Sequence, residues 1–245
     1  MGAISFSLDE KLLEFLTRSL PVKQFVETGS FHGDTLALAH RFIAKCQSVE
    51  MSPELFEKVR KRFEGQSDIQ VALSDSPSFL RKHQDEFKGQ PIFFWLDAHW
   101  CQAEHTSGQT SQTPLLAELS ALATLHPESV ILIDDARLYL CAPPKPHQCG
   151  DWPDFHSVLA ALLALSPKHR VIIFNDVIIF YPERIKPAML EFAHNNGVDW
   201  LVINHLLQAC EGREKERNDR KFPSVNYFRH LGRKLLKKHH NHAAS

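Results

Sequence analysis

No run of apolar residues in this 245-residue chain reaches the roughly 18 needed to cross a bilayer as a helix. The opening stretch, Met1 to Glu10, lacks the basic segment and apolar core of a secretory leader, and Phe6 stands where N-myristoylation needs Ser or Thr. Cysteine is sparse. Five residues, an odd number at irregular spacing, do not suggest a disulfide framework. Internal repeats and low-complexity linkers are also missing. These absences argue for a reducing, cytoplasmic setting and exclude secreted disulfide scaffolds and membrane-spanning helices. With 43% hydrophobic residues the chain can bury one substantial core, which predicts one domain with appendages.

The formal net charge of −1 conceals an asymmetry. Residues 211–245 hold 10 Lys/Arg against 4 Asp/Glu, leaving 18 against 25 in residues 1–210. The boundary predicts a folded domain over 1–210 and a basic C-terminal tail over 211–245. The segment Arg229 to Lys238 suits an acidic surface, although charge runs at termini are more often simply solvated. No nucleic-acid partner is expected from it. The sequence does not distinguish a monomer from a homo-oligomer.

Patterning along the chain alternates strand and helix signals. Leu12, Leu13, Leu16 and Leu20 recur at helical spacing and predict a helix from Leu8 to Leu20, closed by Pro21. Strands are expected at Gln24–Glu27, at a run that Ser48-Val-Glu50 ends, and at Ile69–Leu73, Ile92–Leu96 and Val130–Ile133. Ser52-Pro53-Glu54 is a helix start, with Ser52 as cap and Pro53 in the first turn. Further helices are predicted from Asp34 to about Ala44, from Pro114 to about Leu125, and, after a proline-rich loop from Cys141 to Pro153, to about Leu165. Arg170–Phe174 and Val177–Phe180 are separated only by Asn175-Asp176, which predicts a tight antiparallel hairpin. The expected fold is α/β: a doubly wound, mostly parallel, seven-stranded sheet of Rossmann-like type, ending in that hairpin.

The segment Phe25-Val-Glu27-Thr28-Gly29-Ser30-Phe31-His32-Gly33-Asp34-Thr35 reads as strand, glycine turn and helix start, and Glu50 ends the next strand. This is the layout of a nucleotide-type cofactor site. A carboxylate directly before the turn repels a pyrophosphate and attracts a cationic amino-acid moiety, so S-adenosylmethionine fits better than a nicotinamide dinucleotide. Glu27, Glu50, Asp75, Asp97, Asp134 and Asp135 all fall at predicted strand ends, where an open parallel sheet gathers its ligands. Asp97, Asp134 and Asp135 are a hard-oxygen set suited to Mg²⁺.

With the segments Trp95-Leu-Asp-Ala-His99 and Ile131-Leu-Ile-Asp-Asp-Ala-Arg137, the chain resembles the class I S-adenosylmethionine-dependent methyltransferases. Within them it is similar in plan to the macrocin-type, Mg²⁺-dependent sugar O-methyltransferases. The resemblance spans residues 20–182. It implies that Glu27, Thr28, Gly29, Ser30, Gly33 and Thr35 surround the methionine part of the cofactor. Glu50 would bind the ribose, Met51 would pack on adenine, and Asp75 with Ser76 would lie near the adenine amino group. Asp97 would border the cofactor and, with Asp134 and Asp135, bind metal. The macrocin type carries an Asp two residues past the first metal acid, where this chain has His99.

An imidazole of ordinary pKa is largely neutral near pH 7 and can accept a proton, so His99 is the expected base and Asp97 the runner-up. The expected activity is methyl transfer to a hydroxyl of a small, sugar-like acceptor. Trp100, Tyr139 and Trp152 are candidates for stacking on that acceptor, or equally for packing. Competing readings are a non-catalytic cofactor-binding scaffold, which needs neither His99 nor the acid trio, and a nicotinamide-dependent oxidoreductase, disfavoured by Glu27 and the hairpin. His99, Cys101, His105, His147 and Cys149 match no standard zinc spacing.

Overall fold

The computed structural model describes residues 8–199, except 101–110, together with 201–202. The chain divides into two units, 1–194 and 195–245, and the sheet lies within the first. The basic tail, Cys101 and His105 lie outside the described residues. Among the described residues no helix is long and apolar enough to cross a membrane.

Helix α1 (Glu10–Ser19) precedes β1 (Gln24–Thr28), and α2 (Asp34–His40) leads to β2 (Lys45–Glu50). Then follow α3 (Pro53–Arg62), β3 (Ile69–Leu73), α4 (Ser76–Lys88) and β4 (Ile92–Leu96). Helix α5 (Leu115–Leu122), β5 (Val130–Ile133), the short α6 (Arg137–Leu140) and α7 (Phe155–Leu165) come next. The described elements end with β6 (His169–Phe174), β7 (Val177–Pro182) and α8 (Lys186–Asn196).

The seven strands lie in the order β3-β2-β1-β4-β5-β7-β6, with β7 antiparallel to both its neighbours. The expected sheet and hairpin are therefore present, and Asn175 takes the left-handed conformation (φ 54°) that the tight turn demands. Some boundaries differ from the sequence pattern: α2 ends at His40, short of Ala44, and α5 at Leu122, short of Leu125. Strand β2, whose start the pattern leaves open, begins at Lys45, and Cys46 and Gln47 are buried in the sheet despite their polarity. Helix α4, which patterning does not delimit, starts at Ser76, where Asp75 accepts the Ser78 N–H at 2.9 Å.

Helices cover both faces of the sheet. On one, Phe79, Leu80 and Phe87 of α4, Leu115, Leu119 and Leu122 of α5 and Val158 and Leu162 of α7 pack on Val26, Phe94, Ile131 and Ile178. On the other, Leu12, Leu13 and Leu16 of α1, Leu36 of α2, Val59 of α3 and Met189 of α8 pack on Phe25, Phe93, Trp95 and Leu132. The alternation of neighbouring strand residues between these clusters follows from the period of two in a strand. Strands β4, β5 and β7 are buried throughout, which is why they read as continuous apolar or nearly apolar runs; β1 is buried throughout as well, although Gln24, Glu27 and Thr28 are polar.

The parallel ladder extends one residue past the strands. Gly29 N–H bonds Val49 O at 2.9 Å, Asp97 N–H bonds Thr28 O at 3.1 Å, and Asp134 N–H bonds Leu96 O at 3.2 Å. Gly29, Asp97 and Asp134 thus stand side by side at the carboxyl edge. The approach is tightest at Gly29, whose φ is 83° and where a Cβ would lie 2.5 Å from the main-chain O of Asp97. Gly65 has a similar φ of 86° but open space around its Cα. Both Gly→Ala changes incur the left-handed penalty of about 1–2 kcal/mol. Gly29→Ala must in addition part β1 from β4. Denaturant titration should show it to be the more damaging change by more than ~1 kcal/mol. Equal losses would mean that the β1–β4 contact imposes nothing at this position.

Candidate functional site

Strand order reverses between β1 and β4, so the loops following these strands diverge to opposite faces and open a crevice at the carboxyl edge. On the β1 side, Glu27 is buried, with 1% of its surface exposed. Its Oε2 accepts the Ser48 hydroxyl at 2.5 Å, and Ser48 in turn shares a 2.6 Å hydrogen bond with Ser30 in the turn. Burial pushes the Glu27 pKa well up; the Ser48 bond opposes this, and the charges of Asp97, Glu50 and Asp34 add to it. A cation brought to this place would reverse the balance.

Glu50 fastens the turn to the next helix. Its Oε2 accepts the Phe31 N–H at 3.0 Å and its Oε1 the Ser52 N–H at 2.9 Å. A carboxylate has lone pairs beyond these two bonds, so it retains acceptor capacity for hydroxyls. Gly33 holds φ 75° at the start of α2, where a Cβ would meet the Phe63 ring, and Thr35 is buried in the first helical turn. Beyond β2 and β3, Met51 and Leu73 are about half exposed, at 54% and 49%. Asp75 caps α4, and Ser76 is buried beside it.

Sequence patterning gave no sign of Glu118. This α5 residue is 1% exposed, and its Oε1 has no hydrogen-bond partner among the described residues. Burial raises its pKa, and the nearby Ser76 and Thr28 side chains oppose this. Thr28 Oγ1 also receives the Asp97 N–H at 3.3 Å, which ties the ends of β1 and β4 together beside Glu118.

His99 sits between two carboxylates. Nε2 meets Asp135 Oδ2 at 2.8 Å, and Nδ1 lies 3.4 Å from Asp97 Oδ1. Burial alone would lower its pKa, but the Asp135 bond and the charges of Asp97, Asp135 and Asp134 prevail and push it up to about 9. The expected neutral imidazole is thus replaced by an imidazolium with both nitrogens engaged, leaving no lone pair to accept a proton. For Asp97 burial is the largest influence; His99 opposes it, Asp135 adds to it, and the pKa is pushed up to about 6. Its side chain is still 21% exposed, whereas that of His99 is 5%. Burial, with Asp97 and Asp135 nearby, raises the Asp134 pKa well above the carboxylate range. Burial acts the same way on Asp135 but is overcome by His99 and Arg137, which hold its pKa low.

The expected Mg²⁺ triad is a poor fit to this arrangement. Each oxygen of Asp135 already faces a cationic side chain, one His99 and the other Arg137 at 2.6 Å, and these would repel a metal ion placed beside them. The charge needed to relieve the trio is supplied by these side chains. Among the described residues no three His, Cys, Asp or Glu side chains form a group able to hold a metal ion, zinc included.

The loops after β4 and β5 meet at Gln112, another residue without a sequence signal. Its Oε1 accepts the Gln148 N–H and the Trp152 Nε1–H, both at 2.8 Å, and its main-chain O accepts the Trp100 N–H at 2.8 Å. Trp152 is 6% exposed and packs between His99 and His147, with ring centroids 5.7 and 5.3 Å away. Tyr139 is 3% exposed and bonded to the Thr113 hydroxyl at 3.1 Å. Both are therefore packing residues. Trp100 and His147, half-buried and edge-to-face at 5.6 Å, present the more open aromatic surface.

No protein-family model and no curated protein sequence matches this chain. Solved structures do. The sugar N-methyltransferase KedS8 of Streptoalloteichus superposes with TM-score 0.50 at 12% identity, over 72% of this chain and 87% of that one. A candidate methyltransferase of Streptococcus mutans, solved with S-adenosylhomocysteine, gives 0.48 at 13% identity, over 71% and 96% of the two chains. Spermidine synthase of Thermotoga maritima gives 0.47 at 15% identity, over 71% and 59%. At these identities the likeness is one of fold, and the strand order, helix layers and terminal hairpin are those of the class I methyltransferase fold.

Proposed function

We propose that this protein transfers a methyl group from S-adenosylmethionine to a hydroxyl of a small, polyhydroxylated acceptor of saccharide type. The observation that carries the reading is the crevice between β1 and β4. There the side-chain-free turn at Gly29 lies between Glu27 and Glu50 on one side and Asp97 on the other. Its charge pattern suits a ligand that is cationic at one end and carries ribose hydroxyls at the other. Glu27 and Ser30 take the methionine ammonium, Glu50 accepts the ribose hydroxyls, and Met51 and Leu73 offer exposed apolar surface for adenine. The sulfonium supplies a reactive methyl group, so the protein has mainly to align the acceptor oxygen and receive its proton.

Asp97 is the base in this mechanism. It is a partly exposed carboxylate beside the crevice, and its pKa of about 6, where that of Asp135 is held low, leaves it ionised yet basic near neutrality. His99 is the cation that orients it. Trp100 and His147 line the acceptor side.

Calorimetric titration with S-adenosylhomocysteine tests the cofactor assignment. Micromolar affinity is expected, with at least ~10-fold weakening in Glu50→Ala from the loss of its charge-assisted bonds. Binding of NADH without binding of S-adenosylhomocysteine would discard the methyl-transfer reading. For the base, Asp97→Asn should retain S-adenosylhomocysteine binding and lower kcat by about 10²-fold or more. A variant with native turnover would remove Asp97 from the chemistry.

A further inference from the structure

The turn between β6 and β7 lies against the loop that follows β5, at the same edge as His99. Its Asp176 makes three contacts there. The main-chain O accepts the Ala136 N–H at 2.8 Å, Oδ1 accepts the Arg137 N–H at 2.9 Å, and Oδ2 is paired with the Arg137 guanidinium. The same guanidinium nitrogen reaches Asp135 Oδ1 at 2.6 Å, and Asp135 turns Oδ2 to His99 Nε2 at 2.8 Å. His99 Nδ1 then faces Asp97 Oδ1 at 3.4 Å. Charges of alternating sign thus run unbroken from the hairpin turn to the carboxylate beside the crevice.

Exposed Arg–Asp pairs contribute little, but this chain is shielded at every acid. The side chains of Asp176, Asp135 and Asp97 are 14%, 22% and 21% exposed and that of His99 5%; only Arg137, at 48%, is open to solvent, and it is held by a carboxylate on each side. Asp135 also sits at φ 56°, a left-handed conformation with ready alternatives. Asp176 restrains it by taking the N–H groups of the two residues that follow, Ala136 and Arg137. If the Asp135 backbone relaxed, its carboxylate would swing and the His99 ring would lose its support.

We propose that Asp176 is a positioning residue: from the hairpin turn, through Arg137 and Asp135, it fixes the ring orientation in which His99 presents Nδ1 to Asp97. Only the kinetic consequence rests on the methyl-transfer reading. The orientation of His99 is measurable in the ligand-free chain.

The test is nuclear magnetic resonance of the imidazole N–H protons in the full ¹⁵N-labelled chain, the His99 signals being assigned by their loss in His99→Gln. A ring proton held by a carboxylate exchanges slowly with water. In Asp176→Asn, exchange at His99 Nε2–H should accelerate about tenfold or more, as expected when a charge-assisted restraint is lost. Amide signals of β4 and β5 should stay in place. Arg137→Ala should have the same effect, and the double variant should show no further acceleration, because both changes act through one group. Native exchange in Asp176→Asn overturns the proposal, as does a full second acceleration in the Arg137→Ala background. If Asp176→Asn does not fold, Asp176→Ser, whose short side chain does not reach the guanidinium, decides in its place, with faster exchange supporting the relay and native exchange refuting it. With cofactor and acceptor, Asp176→Asn should lower kcat while leaving KM for S-adenosylmethionine unchanged; a change confined to KM would refute the role in transfer. A chain that turns over no acceptor refutes the methyl-transfer reading and leaves the exchange result standing.

Discussion

One buried imidazolium makes the carboxyl edge of this sheet tenable. Parallel strands in register deliver Asp97, Asp134 and Asp135 to one place, and like charges so close and so shielded repel strongly. His99 sits among them with a nitrogen toward each of two acids, and Arg137 closes the outer side. The arrangement also sets the three acids apart. Asp135, paired on both oxygens, is held ionised, Asp134 is driven toward its neutral form, and Asp97 is left between them. Three residues of similar chemistry thereby take on different tasks, which is how neighbouring carboxylates come to divide labour.

The remaining parts of the site arrange themselves around that centre. Glu118 lies buried beside Thr28 and Ser76, and Gln112 joins the loops that follow β4 and β5. Trp152, locked to Gln112, covers one side of the His99 ring and keeps the ion pairs from water. Low solvent access strengthens these pairs and makes each unpaired member costly. The site is therefore closed where charge is concentrated and more open at Met51, Leu73 and Trp100, where a ligand could enter.

The fold was readable because strands buried on both faces, such as β4 and β5, are apolar without interruption, and because Asn175-Asp176 permits a tight turn. It was less readable at β2, whose opening residues include Gln47, buried through an amide contact with Gln70 at 3.4 Å. Strand-end acids could be named because topology alone sends them to one edge. Their partnerships could not. The Asp135 bond to His99 depends on a left-handed backbone at Asp135, and Asp, unlike Gly, gives little notice of it. Gln112 and Glu118 act through contacts distant in sequence, which no local spacing encodes. Trp152 and Tyr139 looked the same as Trp100 in the sequence; only burial separated packing from accessible surface.

The placement of β7 bears on the order in which the molecule can be completed. Among the described residues the strand comes last in sequence, yet it lies inside the sheet, between β5 and β6. A nascent polypeptide emerged only as far as Phe174 has nothing to pair with β5, whose open edge is then a template for other chains. The turn that supports Asp135 is also missing at that stage. Synthesis thus withholds the finished edge until the final strand inserts, and a chaperone that shields residues 130–133 during that interval would protect the assembly of the site as well as the sheet.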